Sequence, residues 1–181
     1  MLEWVGYILA YFLAGFTLKL GDDLLDEYNK ENLAWFPFAV SGLLFGFLMS
    51  ISEWDLVLFT AIIIGVLFSG KVNKPQFLIG FVLIITVVII QGVPNVTDWL
   101  EWLTILCILF FAAVLDEKGN DWVDANLTPS AAQFFAYRFS LKCSVLFVSV
   151  VWPLFFPSAI GLWVFDIGYE SSGWISRHQI S

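Results

Sequence analysis

The sequence predicts an all-α fold: a polytopic transmembrane helical bundle of six to seven spans, with its N-terminus outside. Three observations lead there. The 181-residue chain is 60% hydrophobic and 13% charged, whereas soluble domains average about 45–50% apolar and about 25% charged residues. Apolar runs recur along its whole length and leave no stretch for a separate soluble domain, so residues 1–181 read as a single integral membrane domain. The breaks between runs are brief, as in an up-and-down bundle, except for two that are rich in acid.

A spanning helix needs about 20 apolar residues, within a range of about 17–25. Trp4–Leu20 meets this, with Lys19 expected to carry its amine out to the interface. It lacks the basic start and small-residue cleavage site of a signal peptide, so it reads as a mature helix. Leu33–Ile51 is the second span, with Pro37 expected in its first turn, where a missing donor costs nothing. Trp54–Ser69 and Phe77–Gln91 follow, both short enough to call for a thin bilayer or extra interfacial residues. Trp99–Leu115 is the fifth span and Gln133–Trp152 the sixth. Ser158–Gly168 is short for a seventh and reads as a tilted or re-entrant piece.

Orientation follows from the cations. With seven spans, Lys19, Lys30, Lys71, Lys74, Lys118, Arg138, Lys142 and Arg177 all fall toward one membrane face. The positive-inside rule makes that face cytoplasmic, and the protein is expected in the cytoplasmic membrane. The opposite ends pair acids with tryptophan: Glu3-Trp4, Glu53-Trp54-Asp55, Asp98-Trp99 and Glu101-Trp102. Carboxylates suit the positive end of a helix dipole and Trp suits the headgroup zone, so these acids read as anchors. A net charge of −8 argues against nucleic acid, whose phosphates call for a basic surface. Cys107 and Cys143 lie inside apolar runs and read as packed thiols. His178 is the only histidine, which leaves no basis for a His-built centre.

The chemistry is expected in the two acidic segments. Nine of the sixteen acids are Asp22, Asp23, Asp26, Glu27 and Glu31 in the first, and Asp116, Glu117, Asp121 and Asp124 in the second. Four spans separate the segments, so both should emerge on the cytoplasmic face as loops that confront one another. Asp22 and Asp26 have the i, i+4 spacing that shares a helical face, and Asp116 and Asn120 repeat it. Their oxygens are hard ligands suited to Mg²⁺, or to Ca²⁺. Asp22, Asp23, Asp26, Asp116, Asn120 and Asp121 are therefore the candidate metal ligands. Arg138 and Lys142, one turn apart within the sixth span, are costly in a membrane helix and call for a partner. That partner is Asp166, a loop carboxylate, or an anionic substrate that Lys71 and Lys74 would also bind. Carboxylates for metal beside cations for phosphate is the layout a diphosphate requires.

These segments resemble the motifs of the UbiA superfamily of intramembrane prenyltransferases. Asp22-Asp23-Leu24-Leu25-Asp26 resembles its first acidic motif, with Lys30 standing at the last acidic position of that motif. Asp116-Glu117-Lys118-Gly119-Asn120 resembles the second, followed by Thr128-Pro129, and Phe68-Ser69-Gly70-Lys71 is similar to a middle cytoplasmic motif. The resemblance implies Mg²⁺ as cofactor, membrane lipid and a polyprenyl diphosphate as partners, and transfer of the prenyl group to an acceptor. Lys71, Lys74, Arg138 and Lys142 would then bind the diphosphate. The chain is shorter than is usual in that superfamily, so a degenerate relative is a companion reading. The alternatives from other classes are a cation transporter or channel with an acidic cytoplasmic mouth, and a non-catalytic scaffold subunit.

Overall fold

A computed structural model describes residues 2–70, 72, 74–126, 134–135 and 138–179, and every regular element among them is helical. The elements are α1 (Leu2–Asp26), α2 (Glu31–Ile51), α3 (Glu53–Phe68), α4 (Gln76–Gln91), α5 (Trp99–Asn126), α6 (Phe139–Val151), a 3-10 turn (Pro153–Phe155) and α7 (Phe156–Gln179). Unbroken apolar runs with polar groups confined to their ends leave the backbone to satisfy itself, and the α-helix does this within one segment. Among the described residues three helices are long and apolar enough to cross a membrane: α1, α2 and α5. With 16 residues each, α3 and α4 extend about 24 Å at about 1.5 Å per residue, short of a hydrocarbon core of about 30 Å. The 13 residues of α6 extend less.

Several boundaries differ from the sequence reading. The first and fifth helices do not stop at Leu20 and Leu115 but continue through their acidic segments. In α2, Pro37 lies beyond the first turn, because the helix starts at Glu31 rather than Leu33. The last helix is no short piece: α7 is a continuous 24-residue helix that carries Asp166, Glu170 and Arg177 from its middle to its end.

Large apolar side chains lie open on the helix surfaces. Val150, Ile90 and Leu100 are 80%, 77% and 76% exposed. An apolar surface of this kind is a liability in water and matches acyl chains.

The contacts divide the chain into two compact units. The first contains α1, α2, α4 and α7 from Ile160 onward; the second contains α3, α5, α6 and the 3-10 turn. In the first unit α1 and α2 form an antiparallel pair, tied where Ser41 Oγ donates to Ala14 O at 3.2 Å. Phe38 meets Phe77, and Gly42 and Gly46 meet Gly80 and Ile84, so α2 and α4 run parallel. Tyr11 against Gly161, Gly15 against Phe165, and Lys19 against Tyr169 and Gly173 make α1 and α7 parallel too. Glycines at these crossings let backbones approach, the packing device of membrane helices.

In the second unit Trp102 Nε1 donates to Glu53 O, Gly65 packs on Ala113 and Lys118 Nζ donates to Ser69 O, an order that makes α3 and α5 parallel. The start of α3 is joined to the segment just before α5 by Glu53, whose carboxylate accepts from Thr97 N at 2.7 Å and Thr97 Oγ1 at 2.8 Å. Asp98 Oδ1 caps α5 by accepting from Leu100 N and Glu101 N, an ordinary N-cap.

Candidate functional site

The acidic face of α1 is built by helical continuation. Since α1 is helical to Asp26, Asp22 and Asp26 lie one turn apart on one face, with Asp23 turned inward. Three carboxylates at a helix C-terminus oppose the macrodipole, and two lysines offset that. Lys19 Nζ lies 2.8 Å from Asp23 Oδ1 and 3.5 Å from Asp22 Oδ2. Lys74, just before α4, donates to Asp26 Oδ1 at 2.9 Å and to the Leu25 carbonyl at 3.2 Å. It thus neutralises a carboxylate and satisfies one of the orphan carbonyls that end a helix. Lys19 therefore does not reach out to the interface. It turns back along its own helix, because the buried Asp23, 2% exposed, demands a counter-charge.

Beyond the helix end, Tyr28 donates its phenol to Ser176 O at 2.6 Å. Desolvation, with the nearby Glu27 and Asp23 carboxylates, pushes that phenol above its ordinary range, so it keeps the proton it donates.

The acidic face of α5 is organised differently. Asp116 is buried, and its two oxygens accept from the backbone N–H of Ser140 at 3.1 Å and of Leu141 at 2.8 Å. These are donors in the first turn of α6. The residue before that turn, Arg138, has left-handed φ 53° and ψ 44° and provides no side-chain cap. Asp116 caps α6 from a neighbouring helix, and the Arg138 guanidinium acts electrostatically on the same carboxylate. Arg138 consequently stands at the entry of α6 and not inside it, while Lys142 lies within it. The carboxylate beside Arg138 is Asp116, which lies within α5.

One turn on, Asn120 is half-buried and Asp121 is exposed. Gly119, just before them, packs on the Phe135 ring, and Lys118 donates to Ser69 O at 3.4 Å. Lys71 and Thr128-Pro129 lie outside the described residues.

The two acidic segments belong to different compact units. Within the first, Asp22 and Asp26 share a helical face and each is paired with a lysine, Asp22 with Lys19 and Asp26 with Lys74. In the second, each oxygen of Asp116 accepts from one backbone donor of α6. Among the described residues no group of three acids, histidines or cysteines converges on one point.

Sequence reasoning missed two polar features. Lys19 has the i+3 and i+4 spacing to Asp22 and Asp23, a local signal that could have been read. The other is Asp55, 1% exposed, which accepts from the buried Ser158 hydroxyl at 2.6 Å. With Trp54 edge-on to Phe155, it fastens the start of α3 to the region after α6. The residues are 103 apart in sequence, and no local pattern announces such a pair.

The chain matches no protein-family model, no curated protein and no solved structure.

Proposed function

We propose that the chain is an integral membrane protein of the UbiA type that binds Mg²⁺ and a polyprenyl diphosphate and transfers the prenyl group to an acceptor. The observation that carries this is the end of α1. An apolar helix continues through its acidic segment, setting Asp22 and Asp26 on one face with the Lys74 ammonium 2.9 Å from Asp26. Asp22 and Asp26 would hold the metal, which when bound draws charge from a leaving diphosphate. Lys74, released from Asp26, would donate to a phosphoryl oxygen. Breaking the prenyl C–O bond leaves the electron pair on diphosphate, the acceptor's nucleophilic atom forms the new bond to carbon, and the proton it gives up passes to the departing diphosphate or to water.

The topology proposed with it is seven crossings with the N-terminus outside, in the cytoplasmic membrane. The parallel courses of α1 with α7, α2 with α4 and α3 with α5 support it, since alternating spans place each such pair at equal parity. In intact cells lacking Cys107 and Cys143, Asn29→Cys should escape a membrane-impermeant thiol reagent while Thr97→Cys reacts. The reverse pattern would invert the topology and remove the cytoplasmic site.

A second reading, a non-catalytic membrane bundle, is favoured by the capping role of Asp116. Binding separates the two. The wild type should bind geranylgeranyl diphosphate only with Mg²⁺, and millimolar Mg²⁺ should raise its melting temperature. A ligand at about 100 times its dissociation constant stabilises by about 2.7 kcal/mol, and Asp26→Asn should lose most of that gain. An equal Mg²⁺ response in both proteins, with no prenyl diphosphate bound, leaves the bundle reading alone.

A further inference from the structure

We infer that Lys19 is an internal counter-cation for the acidic face of α1, held there by α7, and that a divalent cation must take Asp22 away from it. This rests on the metal reading of Asp22 and Asp26. The two ion-pair distances are unequal: 2.8 Å to Asp23 and 3.5 Å to Asp22. Asp23 is the anchor, buried and unable to hydrate; Asp22, with its side chain 32% exposed, is the partner Lys19 can release.

The lysine is positioned by α7. Its ammonium lies 5.3 Å from the centre of the Tyr169 ring, and a Cβ on Gly173 would stand 3.3 Å from its Cε. Tyr169, Ser172, Gly173 and Ser176 have the spacing of one helical face. Ser172 and Ser176 on that face are each 1% exposed, and their hydroxyls have no protein hydrogen-bond partner among the described residues. Asp23 Oδ2 is in the same condition. Three orphaned buried oxygens along a seam that already holds an ammonium leave room for charge and hydrogen bonds to rearrange there, because burying them unpartnered is costly.

The consequence is competition. An ammonium at Asp22 and a divalent cation on Asp22 and Asp26 repel one another across a few ångströms. Binding therefore drives Lys19 wholly onto Asp23, and the affinity for the metal is set by how well Asp23, Tyr169 and Gly173 hold the lysine aside. Asp23 is then a positioning residue for Lys19 rather than a metal ligand.

The test compares full-length wild type, Asp23→Asn and the double variant Lys19→Gln with Asp23→Asn. Mn²⁺ binding is read by EPR, with Mg²⁺ as competitor. The double variant removes the ion pair as a unit, so no buried carboxylate is stranded and folding is protected. Losing Asp23 alone should send Lys19 onto Asp22 and weaken Mn²⁺ binding relative to wild type. The double variant, with Asp22 free, should bind at least about tenfold tighter than Asp23→Asn, the scale of one charge-assisted contact. Equal affinities in the two variants would overturn the counter-cation role and leave the metal reading standing. Absence of Mn²⁺ binding in all three proteins would overturn the metal reading and this inference with it.

Discussion

Asp116→Ala should lower stability by about 2–4 kcal/mol, since removing an N-cap costs about 0.5–2 kcal/mol and each polar group left buried and unpaired about 1–3 kcal/mol. The loss is large because nothing local replaces it. Arg138, at the capping position of α6, has a left-handed backbone and no capping side chain. The N–H groups of Ser140 and Leu141 therefore depend on a carboxylate 24 and 25 residues earlier in the chain. Asp116→Asn keeps an accepting oxygen but gives up the charge, so it should fall between alanine and wild type. Unfolding in detergent gives the magnitude, and hydrogen exchange at residues 139–142 gives the place. If Asp116 served a metal instead, both variants would match wild type without Mg²⁺ and differ only with it.

That residue also marks where local sequence stops being informative. The helical class is legible because apolar runs of this length have one backbone solution in a membrane, and the starts of α3 and α5 are announced by Glu53, Asp55 and Asp98. The ends of α1 and α5 are not. A run of aspartates after an apolar stretch reads as a loop, because carboxylates at a helix C-terminus oppose the dipole. What overrides this in α1 is partly non-local: Lys74, 48 residues beyond Asp26, binds both its carboxylate and the Leu25 carbonyl. The i, i+4 relation of Asp22 and Asp26 was legible, and helical continuation is what makes it geometrically real. The role of Asp116 was not legible, since its partners are backbone N–H groups that every residue but proline carries. Arg138 was read as a cation within a span because periodicity cannot reveal a left-handed residue at the helix entry. The α1–α7 seam left a fainter trace in the seven-residue interval between Gly161 and Gly168, which places two residues without side chains on one face.

Gly168→Val should destabilise the first unit by at least the upper end of the about 1–3 kcal/mol typical of overpacking. A Cβ at Gly168 would collide with the carbonyl oxygen of Phe12 and lie 3.0 Å from Phe12 C and 3.1 Å from Phe16 N. All three are backbone atoms of α1, which cannot rotate aside as a side chain can. Gly15 meets the Phe165 carbonyl from the opposite side of the same crossing, so the helices can only separate. Separation reaches further than the collision. The Lys19–Tyr169 contact bridges the same two helices, and the 2.6 Å hydrogen bond from Tyr28 to Ser176 O ties α7 to the turn just after α1. They should weaken together, leaving the buried Asp23 less well compensated. Gly6, also in α1 but with nothing within 4 Å of a built Cβ, supplies the control. Gly6→Ala should be neutral or slightly stabilising, as expected for glycine replaced in an open helix position. A Gly168→Val protein with wild-type stability in the same detergent would show that α1 and α7 do not cross at this point, and would take the positioning of Lys19 by α7 down with it.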